Sequence, residues 1–170
     1  MHMGAYKNIR ETLINEYKAR DDLYKSKIAE WSGDQTVARI EKPSNIPRAR
    51  ELGYKAKEGI LVVRVKVVKG KRKRPKADGG RKPSKAGRFY ARAKSLQSIA
   101  EERAARKFTN CEVINSYSVG QSGTHSFYEV ILADRQNPAL RKDKEYRNLV
   151  SKRGRAFRGM TSSGRKHAQK

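Results

Sequence analysis

The chain has 170 residues, enough for one domain with extensions, and carries 41 Lys and Arg against 17 Asp and Glu, a net charge of +24. Only 36% of it is apolar, so a modest core is possible but not one running the whole length. No stretch approaches the ~18 apolar residues of a spanning helix, the N-terminal region has charges where a signal peptide needs an apolar run, and the single cysteine, Cys111, excludes an intramolecular disulfide or a cysteine-rich zinc site. An isolated chain with this excess strains against its own field, which calls for a polyanionic partner. Nucleic acid fits better than an anionic membrane, and a cytosolic compartment fits the cysteine usage.

Met1-His2 precede a more natural start at Met3 and are left out of fold reasoning. A helical region is expected over 4–31. Tyr6, Ile9, Leu13 and Tyr17 recur at helical spacing. Asp21-Asp22 then interrupts and caps a second helix carrying Leu23, Tyr24, Ile28 and Trp31. This aromatic stripe is read as packing rather than base stacking, and the region is nearly neutral. Residues 37–40 suit a short extended piece. Pro43 and Pro47 are expected to hold the chain out of helix, and 48–53 to form one turn closed by Gly53.

The clearest strand covers 60–68. Leu61, Val63, Val65 and Val67 alternate onto one face, with Arg64 and Lys66 on the other, wet or against phosphate. A basic arm follows directly. From 69 to 88 there are ten cations (Lys69, Lys71, Arg72, Lys73, Arg74, Lys76, Arg81, Lys82, Lys85, Arg88) against one acid, Asp78. Interspersed Gly and Pro prevent regular structure. The arm is therefore expected to be unprotected in the free protein, and as an insertion it extends to 94.

Ser95 starts a helix with Leu96, Ile99, Ala100, Arg103 and Ala104 inward. Glu101 and Glu102 are read as surface pairing with neighbouring arginines. Two further strands, 111–119 and 126–133, flank a turn at 120–124, and the second alternates so that it is covered on both faces. Cys111 reads as a small buried hydrophobe. Asn137-Pro138 restarts the chain, and 139–148 suits a short polar helix. From 151 to 170 there are seven cations and no acid, expected to be extended unless an anion orders them. Arm and tail together hold two-thirds of the net charge.

No convergent catalytic set emerges. His2, His125 and His167 lack partners at metal-ligand spacing, Gly79-Gly80 lacks the context of a phosphate loop, and 159–164 is not a nucleophile elbow. The chain is read as a non-enzyme with no cofactor, metal or small-molecule substrate. Lys and Arg on extended backbone instead neutralise phosphates and release counterions, while arginine also stacks on exposed bases. A threaded arm suits the crevices of folded RNA better than a regular duplex.

Six collinear blocks are distinctive: GAYK at Gly4, RARELGYKAKEGILVVRVKV from Arg48, KSLQSIAEERAARK from Lys94, NSYSVG from Asn115, FYEVILAD from Phe127 and RGRAFRGMTSSGRK from Arg153. Together they resemble the large-subunit ribosomal protein fifteen family of archaea and eukaryotes, which is distinct from the bacterial protein of that number. They are closer to the archaeal branch. Ser118 stands where the family usually has a tryptophan, and the chain stops soon after GRK where relatives generally continue with more basic residues.

The resemblance implies an α+β fold built on a small antiparallel sheet packed with helices. It also implies a structural role in the large ribosomal subunit, in the cytoplasm. The domain would occupy 1–150, with 151–170 as an rRNA-binding tail. Its partners would be large-subunit rRNA and neighbouring large-subunit ribosomal proteins, with no membrane. The expected rRNA contacts are the basic and aromatic residues of RARELGYKAK, the arm and the RGRAFRG tail, and by number Arg48, Arg50, Tyr54, Lys55 and Lys57; Arg64 and Lys66; the ten arm cations with Arg92 and Lys94; and Lys152, Arg153, Arg155, Arg158, Arg165 and Lys166. The alternative reading from charge alone is a general, chromatin-like architectural binder of DNA or RNA.

Overall fold

The computed structural model describes residues 3–70, 73–91 and 93–168. Among them are seven α-helices and one four-stranded antiparallel sheet, an α+β fold as expected. The strands are β1 (Val37–Ile40), β2 (Ile60–Val68), β3 (Cys111–Gln121) and β4 (His125–Asp134), in the spatial order β1-β2-β4-β3. In the two central strands the register sets Val63 opposite Val130 and Arg64 opposite Glu129. Period-two alternation then sends Val63, Val65, Val67, Val130 and Leu132 to one face and Ile60, Phe127, Glu129, Ile131 and Ala133 to the other.

Both faces are covered. On the first lies α4 (Leu96–Lys107), capped by the Ser95 hydroxyl accepting from the Ser98 amide, with Ala100 and Ala104 fully buried against the valines. On the second lie α3 (Ile46–Glu51), α5 (Pro138–Lys142) and α6 (Arg147–Val150), which bury Ala49, Leu140, Tyr146 and Val150 against Ile131 and Tyr117. Near the hairpin end of that face, α2 (Asp22–Gly33) packs Tyr24, Ile28 and Trp31 on Phe127. Gly120 there carries no side chain where a Cβ would stand 2.8 Å from Ile28 Cδ1. The helix α1 (Met3–Ala19) precedes α2 but has no buried residue among those described.

Several expectations from sequence hold closely. Asp21 caps α2 by accepting from the Tyr24 amide, β2 spans the expected nine residues, Gly53 ends α3 at φ 94°, and β4 is covered on both sides. Cys111 is buried, and that burial pushes its thiol up to about 11, so it packs as a hydrophobe.

Others are corrected. Pro47 lies inside the first turn of α3, where a missing N–H costs nothing because no carbonyl precedes it. Leu23 is the most exposed apolar side chain of α2 rather than part of its inner face. The helix expected over 139–148 is two, broken where Asp143 accepts from the Glu145 amide. Gly120 and Gln121 belong to β3, next to a bulge, so the turn is shorter than expected.

The largest correction is the C-terminal tail. Residues 154–168 fold onto the body and end in α7 (Ser162–Ala168). Glu112 accepts from the amides of Gly154 at 2.7 Å and Arg155 at 3.1 Å. Arg155 Nη1 donates to the Val113 carbonyl, covering part of the outer strand β3, and Ala156 joins the core beside α4. Thr161 donates to Glu101 at 2.6 Å, and Ser163 hydroxyl meets that of Ser98 at 2.8 Å. A cation count sees only like charges here, whereas the partners that hold the segment lie between 42 and 65 positions back.

The fold of this tail depends on Gly164. A Cβ there would stand 2.6 Å from Gly159 Cα and 2.8 Å from its carbonyl carbon, backbone that cannot swing aside, and Gly159 itself has φ 67°. Gly164→Ala is expected to destabilise the protein by about 1–3 kcal/mol in urea unfolding. Wild-type stability in that variant would show that 159 and 164 do not pack as described.

Candidate nucleic-acid interface

The cations proposed from sequence separate into three groups. The first is built into the fold. Arg64 comes from the face of β2 expected to be wet, but its side chain is only 14% exposed. Its guanidinium lies 4.1 Å from the Trp31 ring centroid, 3.6 Å from Asp34 and 3.8 Å from Glu129. The α2 helix and the following loop cover this face, which is the physical reason it is dry. Lys66 donates to the carbonyl of Ser32 at 2.8 Å and to that of Asp34. Lys69 donates to Gln121 Oε1 and the Ser122 carbonyl at 2.9 and 2.6 Å, fastening the start of the arm to the β3–β4 turn. Arg155 is held by Val113 and, at 3.4 Å, Met160, and burial lowers its pKa while Glu112 raises it.

The second group is exposed but paired. Arg48 meets Glu51 at 2.6 Å, Lys55 meets Glu145 at 2.6 Å and lies over the Tyr146 ring, and Lys57 meets Asp143 at 2.8 Å. Arg50 stands over the Tyr6 ring of α1, and Tyr54 is half-buried against the second face of the sheet. Lys94 pairs with Glu102, which also takes Arg106 at 3.2 Å.

The third group is exposed and has no carboxylate within ion-pair distance among the described residues. In the arm it comprises Lys73, Arg74, Lys76, Arg81, Lys82, Lys85 and Arg88; in the tail, Lys152, Arg153, Arg158, Arg165 and Lys166. Lys71, Arg72 and Arg92 lie outside the described residues. The arm is not shapeless. Lys73 and Phe89 form an antiparallel bridge, the Arg74 amide donates to the Arg88 carbonyl at 2.7 Å, and Pro83–Lys85 makes one turn of 3-10 helix. Its described residues thus form an irregular hairpin with every cation from Lys73 to Arg88 exposed. The arm returns at Ser95, whose hydroxyl lies 3.1 Å from that of Ser163 in α7, so arm and tail meet at the start of α4.

Exposed aromatics lie within these basic segments. Phe89 is 73% exposed, Tyr90 sits under Arg74, and Phe157 sits beside Arg106. The resemblance implies aromatic as well as basic contacts in these segments, without singling out these three rings. The available signal was their position inside RFYARAK and RAFRG, a large ring in a run of cations with no apolar neighbours to bury it.

The acids that seemed to pair at the surface are internal. Glu101 is 1% exposed and Glu102 is also buried. Glu101 accepts from the hydroxyls of Ser116 and Thr161, joining α4, β3 and the tail. Glu129, fully buried, accepts from the Ser44 amide at 3.0 Å and from the hydroxyls of Ser44 and Tyr117. Burial, and then the Glu129 charge, hold the Tyr117 phenol well above its ordinary value, so it stays a donor. Among the described residues no cluster of His, Cys, Asp and Glu fits a metal ion, and no helix is long and apolar enough to cross a membrane.

The structure is thus an α+β scaffold that buries four carboxylates, Glu101, Glu102, Glu112 and Glu129, and presents unpaired cations along its arm and tail. The family model described as Ribosomal L15 matches residues 4–169. The chain is 45% identical over 169 residues to the large ribosomal subunit protein eL15 of Metallosphaera sedula, covering 98% of this chain and 78% of that protein. It belongs to the ribosomal L15 family, of the L15e type.

Burial raises the Glu101 carboxyl above its ordinary value near 4.5, outweighing the hydroxyls that favour its charged form. The folded state then holds this proton more tightly than the unfolded state. The contribution of Glu101 to stability therefore falls as pH rises from about 4.5 to its raised value and is flat above. Wild type should lose stability relative to Glu101→Gln over that window, measured by urea unfolding at stepped pH. A difference independent of pH would show that Glu101 is not desolvated as placed.

Proposed function

We propose that this protein is a structural constituent of the large ribosomal subunit, in the cytoplasm, that binds and stabilises folded rRNA through its basic arm and tail. Membership of the family and the name of the Metallosphaera relative support the ribosomal assignment. The observation that carries the binding mode is the third group of cations. Elsewhere most of the described cations meet a carboxylate, carbonyl or ring, whereas the arm and tail gather twelve exposed cations with no carboxylate within ion-pair distance among the described residues. A polycation of that density is stabilised by phosphates and the counterions they release. Residues 1–150 serve as the domain that presents the arm, and 151–170 as a docked tail whose outer cations face the same partner. Neighbouring large-subunit proteins complete the surroundings, and no chemical step is involved.

Sedimentation of a cell extract through a high-salt sucrose gradient tests the assignment. Stoichiometric recovery of the chain with the large subunit is the expected result. Release to the light fractions, with binding to any polyanion at low salt, would favour a general architectural binder instead.

The arm makes a sharper prediction. The logarithm of rRNA affinity should fall linearly with that of salt, by about 0.7–0.9 per phosphate contact. Lys73→Gln, Arg74→Gln and Lys76→Gln together should reduce the slope by about 2–3. Lys66→Gln should leave the slope alone and lower only stability, since its ammonium is spent on the carbonyls of Ser32 and Asp34. An unchanged slope in the triple variant would remove the arm from the interface.

A further inference from the structure

The stem of the arm has two dissimilar faces. Residues opposite one another in an antiparallel bridge share a face, and their sequence neighbours take the other. Lys73 and Phe89 are opposite partners, so their side chains leave the backbone on the same face. Arg74, Arg88 and Tyr90 take the reverse side, where the Arg74 guanidinium lies 5.9 Å from the Tyr90 ring centroid. Tyr90 is thereby occupied in part, and its hydroxyl crowds Gly87, where a Cβ would stand 1.9 Å away. Phe89 has no such employment. Among the described residues it is the most exposed large apolar side chain, at 73%, and no described ring or cation lies over it.

A phenyl ring in water on the same face as Lys73 contributes nothing to this fold. Its chemistry selects a partner with a flat apolar face carried on an anionic backbone. A regular duplex offers phosphates but keeps its base faces stacked and closed. An unpaired nucleotide offers the two together: a π-face for Phe89, and a phosphate within reach of the neighbouring ammonium. We propose that Phe89 stacks on an unpaired base of the bound RNA, with Lys73 engaging the adjoining phosphate. The stem of the arm then recognises a single-stranded or bulged segment, while the cations beyond it follow backbone. This rests on the RNA-binding reading above and specifies the form of RNA at one point of the interface.

The test uses the full chain, a short unpaired RNA containing 2-aminopurine, and an RNA duplex with the same number of phosphates. Phe89→Ala should weaken binding of the unpaired RNA by about 5- to 100-fold, with its salt slope and the duplex affinity unchanged. Wild type and Phe89→Trp should quench the 2-aminopurine; Phe89→Ala should not. Because Phe89 is exposed, folding survives each change, which its urea midpoint verifies. Equal loss on duplex and unpaired RNA would overturn the proposal, as would full binding by Phe89→Ala. So would full recovery by Phe89→Leu, which keeps apolar bulk without a stacking face. Loss of incorporation into the large subunit with RNA affinity intact would assign the ring to a protein neighbour and overturn it equally. A wild-type salt slope that ignores the arm cations would sink the RNA-binding reading itself, whereas a normal slope with an indifferent Phe89 sinks only the stacking.

Discussion

The fold depends on three buried carboxylates that act chiefly as hydrogen-bond acceptors, with a cation, Arg64, standing at 3.8 Å from one of them, Glu129. Glu129 sits in the middle of the sheet, and its oxygens take the Ser44 amide and hydroxyl and the Tyr117 hydroxyl. It thereby draws the loop ahead of α3 against the second face. Glu112 takes two consecutive amides, of Gly154 and Arg155, and turns the tail around the outer strand. Glu101 takes Ser116 and Thr161 and fixes the same tail to α4. A buried carboxylate is costly unless its lone pairs are filled. Hydroxyls and amides fill them without spending cations. In a chain at +24, negative charge inside also offsets part of the self-repulsion that the extensions impose.

The sequence carried the local structure well. The strand at 60–68, the caps at Asp21 and Ser95 and the two-sided burial of β4 follow from periodicity and from single capping residues, which act within a few positions. Interactions across long separations left no such mark. Glu101 and Glu102 have the spacing of any helical surface pair, and nothing near them announces Thr161 or Lys94. Arg64 occupies the polar phase of an alternating strand, so period alone makes it wet; only the arrival of Trp31, thirty-three positions earlier, makes it dry. The tail failed for a related reason. Its composition is that of a disordered segment, but small residues at 154, 156, 159, 163 and 164 let backbone approach backbone, a property that charge counting does not register.

The candidate interface was legible as a region and not as a list. Arm and tail stand out by charge density, and most of their cations are outward-facing. The structure removes Arg64, Lys66, Lys69 and Arg155 from ready availability, because each already completes hydrogen bonds that hold elements together. It singles out Phe89, Tyr90 and Phe157 as rings that stand exposed within these segments. An apolar side chain left in water is informative only when its surroundings say what could cover it, and here they are uniformly positive.

The paired cations of 48–57 stand between these extremes, and their energetics decide how they can serve. The pairs Arg48–Glu51 and Lys55–Glu145 lie at the surface, with both members around half exposed. Such pairs contribute roughly 0–1 kcal/mol each. A phosphate approaching Arg48 or Lys55 therefore competes against a weak partner, and exchange leaves the carboxylate hydrated rather than stranded. Glu112 and Glu129 are different, since removing a donor from either would leave a desolvated charge. Surface pairing here works as a holding arrangement: it keeps the free protein from repelling itself along this segment and yields when a polyanion arrives. The outward cations of the arm and tail have no such intramolecular substitute among the described residues, although the tail backbone is already held to the body by Glu112 and Glu101.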